Sequence, residues 1–265
     1  MGKNIYKIII LSFILFLALQ IVSLPAKSFI KSKLDTFYGN SSFLEQKIDG
    51  KNNLFFTDFY TNGDSVKDFL KIIDKTSVIT FFIFMFLICG VIGVFKEKDG
   101  KILVNFFKYI SLFWGKSLIL FLLYLPLFLI FTSLSFILSK KIFAQIPSNG
   151  KILPFIYGLL VGAIFFFIVR FFYTLSKIAL VSLNISPIKS FILPFKNIGK
   201  LIKKTLLIYI LYLILLAGLN LIIIKFIGKG ISQTSIYILI EFLIFLKFTV
   251  ITATYGKLTQ KIEEL

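Results

Sequence analysis

Six apolar runs, each long enough to cross a bilayer, fill most of this chain and leave few folds open to it. A membrane span needs roughly 20 mainly apolar residues to cover about 30 Å of hydrocarbon. Residues 8–24, 76–95, 117–139, 152–176, 205–227 and 234–256 answer that description. Hydrocarbon offers backbone amides no water, so each run satisfies them internally as a helix. The expected fold is therefore all-α: a polytopic membrane protein of about six transmembrane helices forming a single membrane domain over residues 1–265. A mean hydropathy of +0.94, with 58% hydrophobic residues, sets aside a soluble two-domain chain.

The charge balance, 30 Lys+Arg against 12 Asp+Glu, gives +18, and Arg170 is the only arginine. These cations punctuate apolar runs instead of gathering on an aqueous surface, which disfavours nucleic acid and points to anionic lipid headgroups at the cytoplasmic face as the partner. Histidine is absent from the sequence, which removes His-based acid–base catalysis, Ser-His-Asp triads and His-ligated zinc. Cys89 is the single cysteine and lies inside an apolar run, so no intrachain disulfide can form. The chain carries no Walker loop, no Gly-x-Ser-x-Gly and no Cys-x-x-Cys. No catalytic, cofactor-binding or metal-binding residue is expected, and an enzyme is the least favoured class.

Lys3 and Lys7 precede the first run, the layout of a signal peptide as well as of a first span. Leu24-Pro25-Ala26 lacks a small-x-small cleavage site, so an uncleaved anchor is expected. Residues 25–75 hold seven of the twelve acidic residues and read as an extracytoplasmic loop. Phe29, Ile30, Leu34 and Phe37, and again Val66, Phe69, Leu70 and Ile73 after the Asn62-Gly63 turn, recur at helical spacing and predict two short surface helices. Lysines cluster between spans two and three (Lys96, Lys98, Lys101, Lys108, Lys116) and between four and five (Lys177, Lys189, Lys196, Lys200, Lys203, Lys204). By the positive-inside rule both loops, and both termini, face the cytoplasm of a bacterial cell membrane.

Each basic loop is patterned as an amphipathic helix leading into the next span. In residues 101–116, Asn105, Lys108 and Lys116 oppose Leu103, Phe106, Phe107, Ile110 and Phe113. In residues 188–204, four lysines from Lys196 to Lys204 oppose Phe191, Ile192, Phe195, Ile198 and Ile202. Two cytoplasmic interfacial helices are the expectation. Residues 101–127 also align with 189–215 at an offset of 88 without a gap, matching Phe107-Lys108 with Phe195-Lys196 and Tyr124 with Tyr212; both an internal repeat and biased composition account for the match.

Within the spans, Gly158-x-x-x-Gly162 and the pair Gly90 and Gly93 form small faces for helix packing. Arg170, placed near the end of span four, reads as an interface anchor that snorkels. Glu241 and Lys247 lie inside span six, where a charge is expensive, and Asn220 in span five falls level with Glu241 if the turn lies near Gly230. A Glu241–Asn220 contact is expected, with Lys247 finding a partner elsewhere.

From Arg170 onward, the stretches RFFYTLSKIALV, SPIKSFILPFKNIGKLIKK and TLLIYILYL and the ending ITATYGKLTQKIEEL resemble the six-helix membrane domain attached to some bacterial glycerophosphodiester phosphodiesterases and its stand-alone relatives. The likeness covers about the second half; Pro194-Phe195 stands where relatives often carry Ser-Trp, and the phosphodiesterase barrel is absent. The resemblance implies a six-helix membrane module and no activity. Two roles follow as expectations: a non-enzymatic scaffold or accessory factor of the envelope, or a permease subunit driven by a separate ATPase.

Overall fold

The computed structural model describes residues 2–38, 63–97, 100–145, 152–227 and 233–264. These form seven helices: α1 (Gly2–Tyr38), α2 (Gly63–Lys96), α3 (Ile102–Gln145), α4 (Ile152–Ser182), α5 (Pro187–Lys196), α6 (Ile198–Ile227) and α7 (Gln233–Glu263). There is no strand among the described residues. Six helices contain a stretch long and apolar enough to span a membrane, and α5 does not. The chain is thus an all-helical, multi-pass membrane protein.

The helices run further than hydropathy indicates. The segment 101–116 is not a separate interfacial helix: it continues into its span as the 44-residue α3, about 66 Å at 1.5 Å per residue. Pro126 lies inside α3 without ending it. Residues 29–37 and 66–73 continue α1 and α2, and Pro25 does not interrupt α1. The loop between them, residues 39–62, lies outside the described residues. The other basic segment does break. Ser186 caps α5 by accepting from the Lys189 amide at 3.4 Å, with Pro187 pre-set in the first turn. Pro194 then removes an amide donor inside α5, and the chain turns at Asn197 before α6 resumes. The two aligned segments therefore differ in structure, one continuous and one broken.

The chain divides into two compact units, residues 1–12 with 86–265 and residues 13–85. The smaller unit comprises the later part of α1 and the earlier part of α2; its Thr80 hydroxyl returns to the Thr76 carbonyl at 2.6 Å. In the larger unit α4 is the central helix, packed against α3, α5 and α7. From Thr174 to Ser182 every α4 residue is buried, so this part of the helix is covered on all sides. Beyond its end Asn184 takes a left-handed φ of 51°, a conformation that asparagine tolerates better than most residues.

Small residues set how closely the helices approach. A methyl group at Gly90 would sit 2.6 Å from the Phe106 ring and 2.8 Å from the Phe106 carbonyl oxygen, and one at Gly93 would overlap Tyr109. The pair thus lets α2 and α3 approach closely. A methyl group at Gly256 in α7 would meet the Phe95 ring at 2.8 Å. Gly162 borders a groove with Phe128, Phe131 and Phe165. Gly158 lies in α4, but its surroundings fall outside the described residues.

The start of α1 is fixed to the larger unit. Lys7 Nζ donates to the carbonyls of Val94 at 3.0 Å and Glu97 at 2.7 Å, placing a cation at the negative end of the α2 dipole. Five residues on, Ser12 Oγ donates to Thr252 Oγ1 at 3.4 Å.

Candidate functional site

Polar side chains inside the larger unit gather on α4, where Arg170, Tyr173, Thr174, Ser176 and Lys177 fall within two turns. Toward α3, the Tyr124 and Ser176 hydroxyls share a hydrogen bond of 2.8 Å, and both residues are fully buried. The Tyr124 ring is held edge-on by Tyr173 and by Phe191 of α5, at centroid distances of 5.4 and 4.8 Å. Lys177 is 2% exposed, with its ammonium 5.7 Å from the centre of the Tyr173 ring. Cys89 of α2 is a neighbour of Lys177 and Tyr173. Ser117 Oγ and Tyr173 Oη are close neighbours that close no hydrogen bond of good geometry.

Toward α6 and α7, the Arg170 guanidinium stands near the phenols of Tyr212, Tyr209 and Tyr255. Thr174 adjoins Tyr209 and Tyr255, although Tyr209 Oη has no partner of good geometry. Phe171 and Phe167 pack on the Tyr209 ring at 5.0 and 5.5 Å. Tyr124 and Tyr212, which correspond in the sequence alignment, both deliver a hydroxyl to α4 from opposite neighbours.

Several positions differ from their sequence-based readings. Arg170 lies further from a helix end than the sequence placed it: α4 continues to Ser182, about 18 Å beyond it at 1.5 Å per residue, and its side chain is exposed while its guanidinium comes near Tyr212. Lys177 is not a loop lysine, because the apolar residues that follow it extend the helix and bury it. Asn220 pairs with Lys247 and not with Glu241: its Oδ1 accepts from the Lys247 ammonium. Lys247 thus finds its partner on the neighbouring helix α6. The Glu241 side chain is half-buried and makes contacts of its own.

Sequence reading missed Lys177, the Tyr124–Ser176 pair and the three tyrosines around Arg170. One signal was present: Arg170, Thr174 and Lys177 repeat at four and three residues, a polar stripe on one face of an apolar helix. The assembled groups are hydroxyls, phenols and two cations. They can donate and accept hydrogen bonds, and no group of three or more His, Cys, Asp or Glu able to hold a metal occurs among the described residues. The sequence matches no family model, no curated protein and no solved structure.

Proposed function

We propose that this protein is a non-enzymatic scaffold or accessory factor of the bacterial cytoplasmic membrane, with both termini in the cytoplasm. The observation that carries the reading is how the polar groups of the bundle are used: they tie helices to one another. Tyr124 binds Ser176 across α3 and α4, Arg170 reaches Tyr212 of α6, Ser12 meets Thr252, and Lys7 caps α2. A transport path or a catalytic centre needs polar groups turned toward a ligand, whereas the groups in these four contacts are turned toward one another across helices. Lysine placement supports the orientation, and the six-helix count agrees with the membrane-domain family that the second half resembles.

The permease reading has one feature in its favour, the short helix α5 between two spans, which has the size of a helix that couples to an ATPase. Its aromatic residues are occupied otherwise: Phe195 stacks on Phe172 at 4.8 Å and Phe191 packs on Tyr124. Purification of the tagged chain from native membranes, followed by quantitative mass spectrometry, separates the two. The scaffold reading expects envelope proteins and no stoichiometric nucleotide-binding subunit; recovery of such a subunit at one-to-one or one-to-two would replace it with the permease.

A further inference from the structure

A cavity of ≈ 370 Å³ opens where α2 and α4 end, lined by Lys96, Lys108, Tyr109, Phe113, Lys116 and Asn184. Three ammonium groups from two helices converge on it, and their contacts with protein are long. Lys96 Nζ is 3.5 Å from the Val181 carbonyl, Lys116 Nζ is 3.5 Å from Asn184 Oδ1, and Lys108 Nζ is 3.7 Å from Glu97 Oε1. Charge-assisted bonds normally close to roughly 2.7–2.9 Å, and each ammonium has three donors. The cluster therefore holds donor capacity that its protein neighbours do not use. The ammonium groups also stand over aromatic faces, which positions them without using their hydrogen-bond donors: Lys116 Nζ lies 4.9 Å from the Phe113 ring centre, and Lys96 Nζ and Lys108 Nζ lie 5.8 and 5.6 Å from that of Tyr109. Two carboxylates face the group, Glu97, which accepts from Tyr109 at 2.8 Å, and Glu263, which acts on Tyr109 through space. Neither lines the cavity, and among the described residues three cations outnumber them.

The surroundings indicate where the anion comes from. Leu112 forms part of the wall and is 56% exposed, and Ile119 and Leu122 follow it along α3, exposed to similar degrees. Trp114 is also exposed at this level, the interfacial position that tryptophan favours. A basic cavity thus opens directly onto an apolar track that descends into the membrane. A soluble phosphate would use the first and have no use for the second, whereas a phospholipid uses both.

We propose that Lys96, Lys108 and Lys116, with Asn184, form a binding site for the phosphate of an anionic phospholipid whose acyl chains lie along Leu112, Ile119 and Leu122. The site deepens the scaffold reading by naming the lipid class that the protein holds. It is tested by lipid binding, whereas the scaffold reading is tested by copurification, so each can fail without the other.

The full chain, purified in neutral detergent, is titrated with phosphatidylglycerol, phosphatidylcholine or inorganic phosphate while its thermal unfolding and retained lipid, by native mass spectrometry, are followed. The wild type should bind and be stabilised by phosphatidylglycerol alone. A Lys108→Gln/Lys116→Gln variant should bind it roughly 30-fold more weakly, taking about 1 kcal/mol for each lysine near an anionic headgroup. Lys116→Arg should keep the site if charge is what matters, and it provides a folded reference should the double variant prove unstable. Lys200→Gln/Lys203→Gln, on exposed α6 positions, should bind as the wild type does. Equal lipid binding by the two double variants would overturn the site in favour of diffuse surface charge. Protection by inorganic phosphate equal to that by phosphatidylglycerol would overturn the lipid in favour of a soluble anion.

Discussion

Alanine at Gly93 or Gly90 places a methyl group in space that α3 already fills. At Gly90 the added carbon would lie 2.8 Å from the Phe106 carbonyl oxygen, backbone that cannot rotate away, so the two helices must separate. Overpacking of this kind costs about 1–3 kcal/mol, offset by ~1 kcal/mol of better helix propensity, for a net loss of up to about 2 kcal/mol. At Gly93 the overlap falls on the root of the Tyr109 side chain. Tyr109 must then move, and its 2.8 Å bond to Glu97 weakens, adding ~1 kcal/mol. Gly256 meets only the far edge of the Phe95 ring, and Gly115, Gly199 and Gly218 have nothing within 4 Å. The expected order of loss is Gly93→Ala, then Gly90→Ala, then Gly256→Ala, with alanine at the other three neutral or stabilising. Thermal unfolding of the detergent-solubilised protein, read by fluorescence-detected size exclusion, resolves these differences, since 1 kcal/mol moves the midpoint of a chain this long by roughly 2–4 °C. A Gly93→Ala midpoint equal to wild type, or a Gly218→Ala loss equal to that of Gly93→Ala, refutes the close α2–α3 seam.

Lys7→Met should lower stability by about 1–2 kcal/mol in the same assay, because two carbonyls at the end of α2 lose their cation, and Lys7→Arg should recover part of the loss. In a Cys89→Ala background, a short bifunctional thiol reagent should link cysteines placed at Asn220 and Lys247 but not at Asn220 and Glu241; the reverse result would restore the pairing read from the sequence. For orientation, cysteines at Ser41 and Asn149 should react with an impermeant reagent on intact cells and one at the exposed Lys189 should not. Labelling at Lys189 alone would invert the topology.

Hydropathy made the six spans legible because burial in lipid demands length and apolarity, which a sequence displays directly. It was less able to show where helices stop. The basic pattern of residues 101–116 has the same period as the span that follows, so no local signal separates them and the helix runs through. Lys177 looked like a loop residue because a charge is the usual edge of a span; its burial depends on helices from elsewhere in the chain covering α4. The neighbours of Arg170 are likewise distant, its phenols lying on α6 and α7, about 40 and 85 residues further along the chain. The Asn220 partner was missed because residue counting from Gly230 compares backbone levels, while a long lysine side chain reaches past its own level. Gly90 and Gly93 were legible because a flat face has few other uses within a membrane helix.

The claim that polar groups of the bundle serve to hold helices together is tested most directly at the Tyr124–Ser176 bond. Tyr124→Phe and Ser176→Ala each leave one buried hydroxyl without its partner, and together they remove both. A double-mutant cycle on reversible unfolding should give a coupling of about 0.6 kcal/mol and up to ~1.7 kcal/mol, the range found for hydrogen bonds between membrane helices. Strictly additive losses, with no coupling, would contradict it.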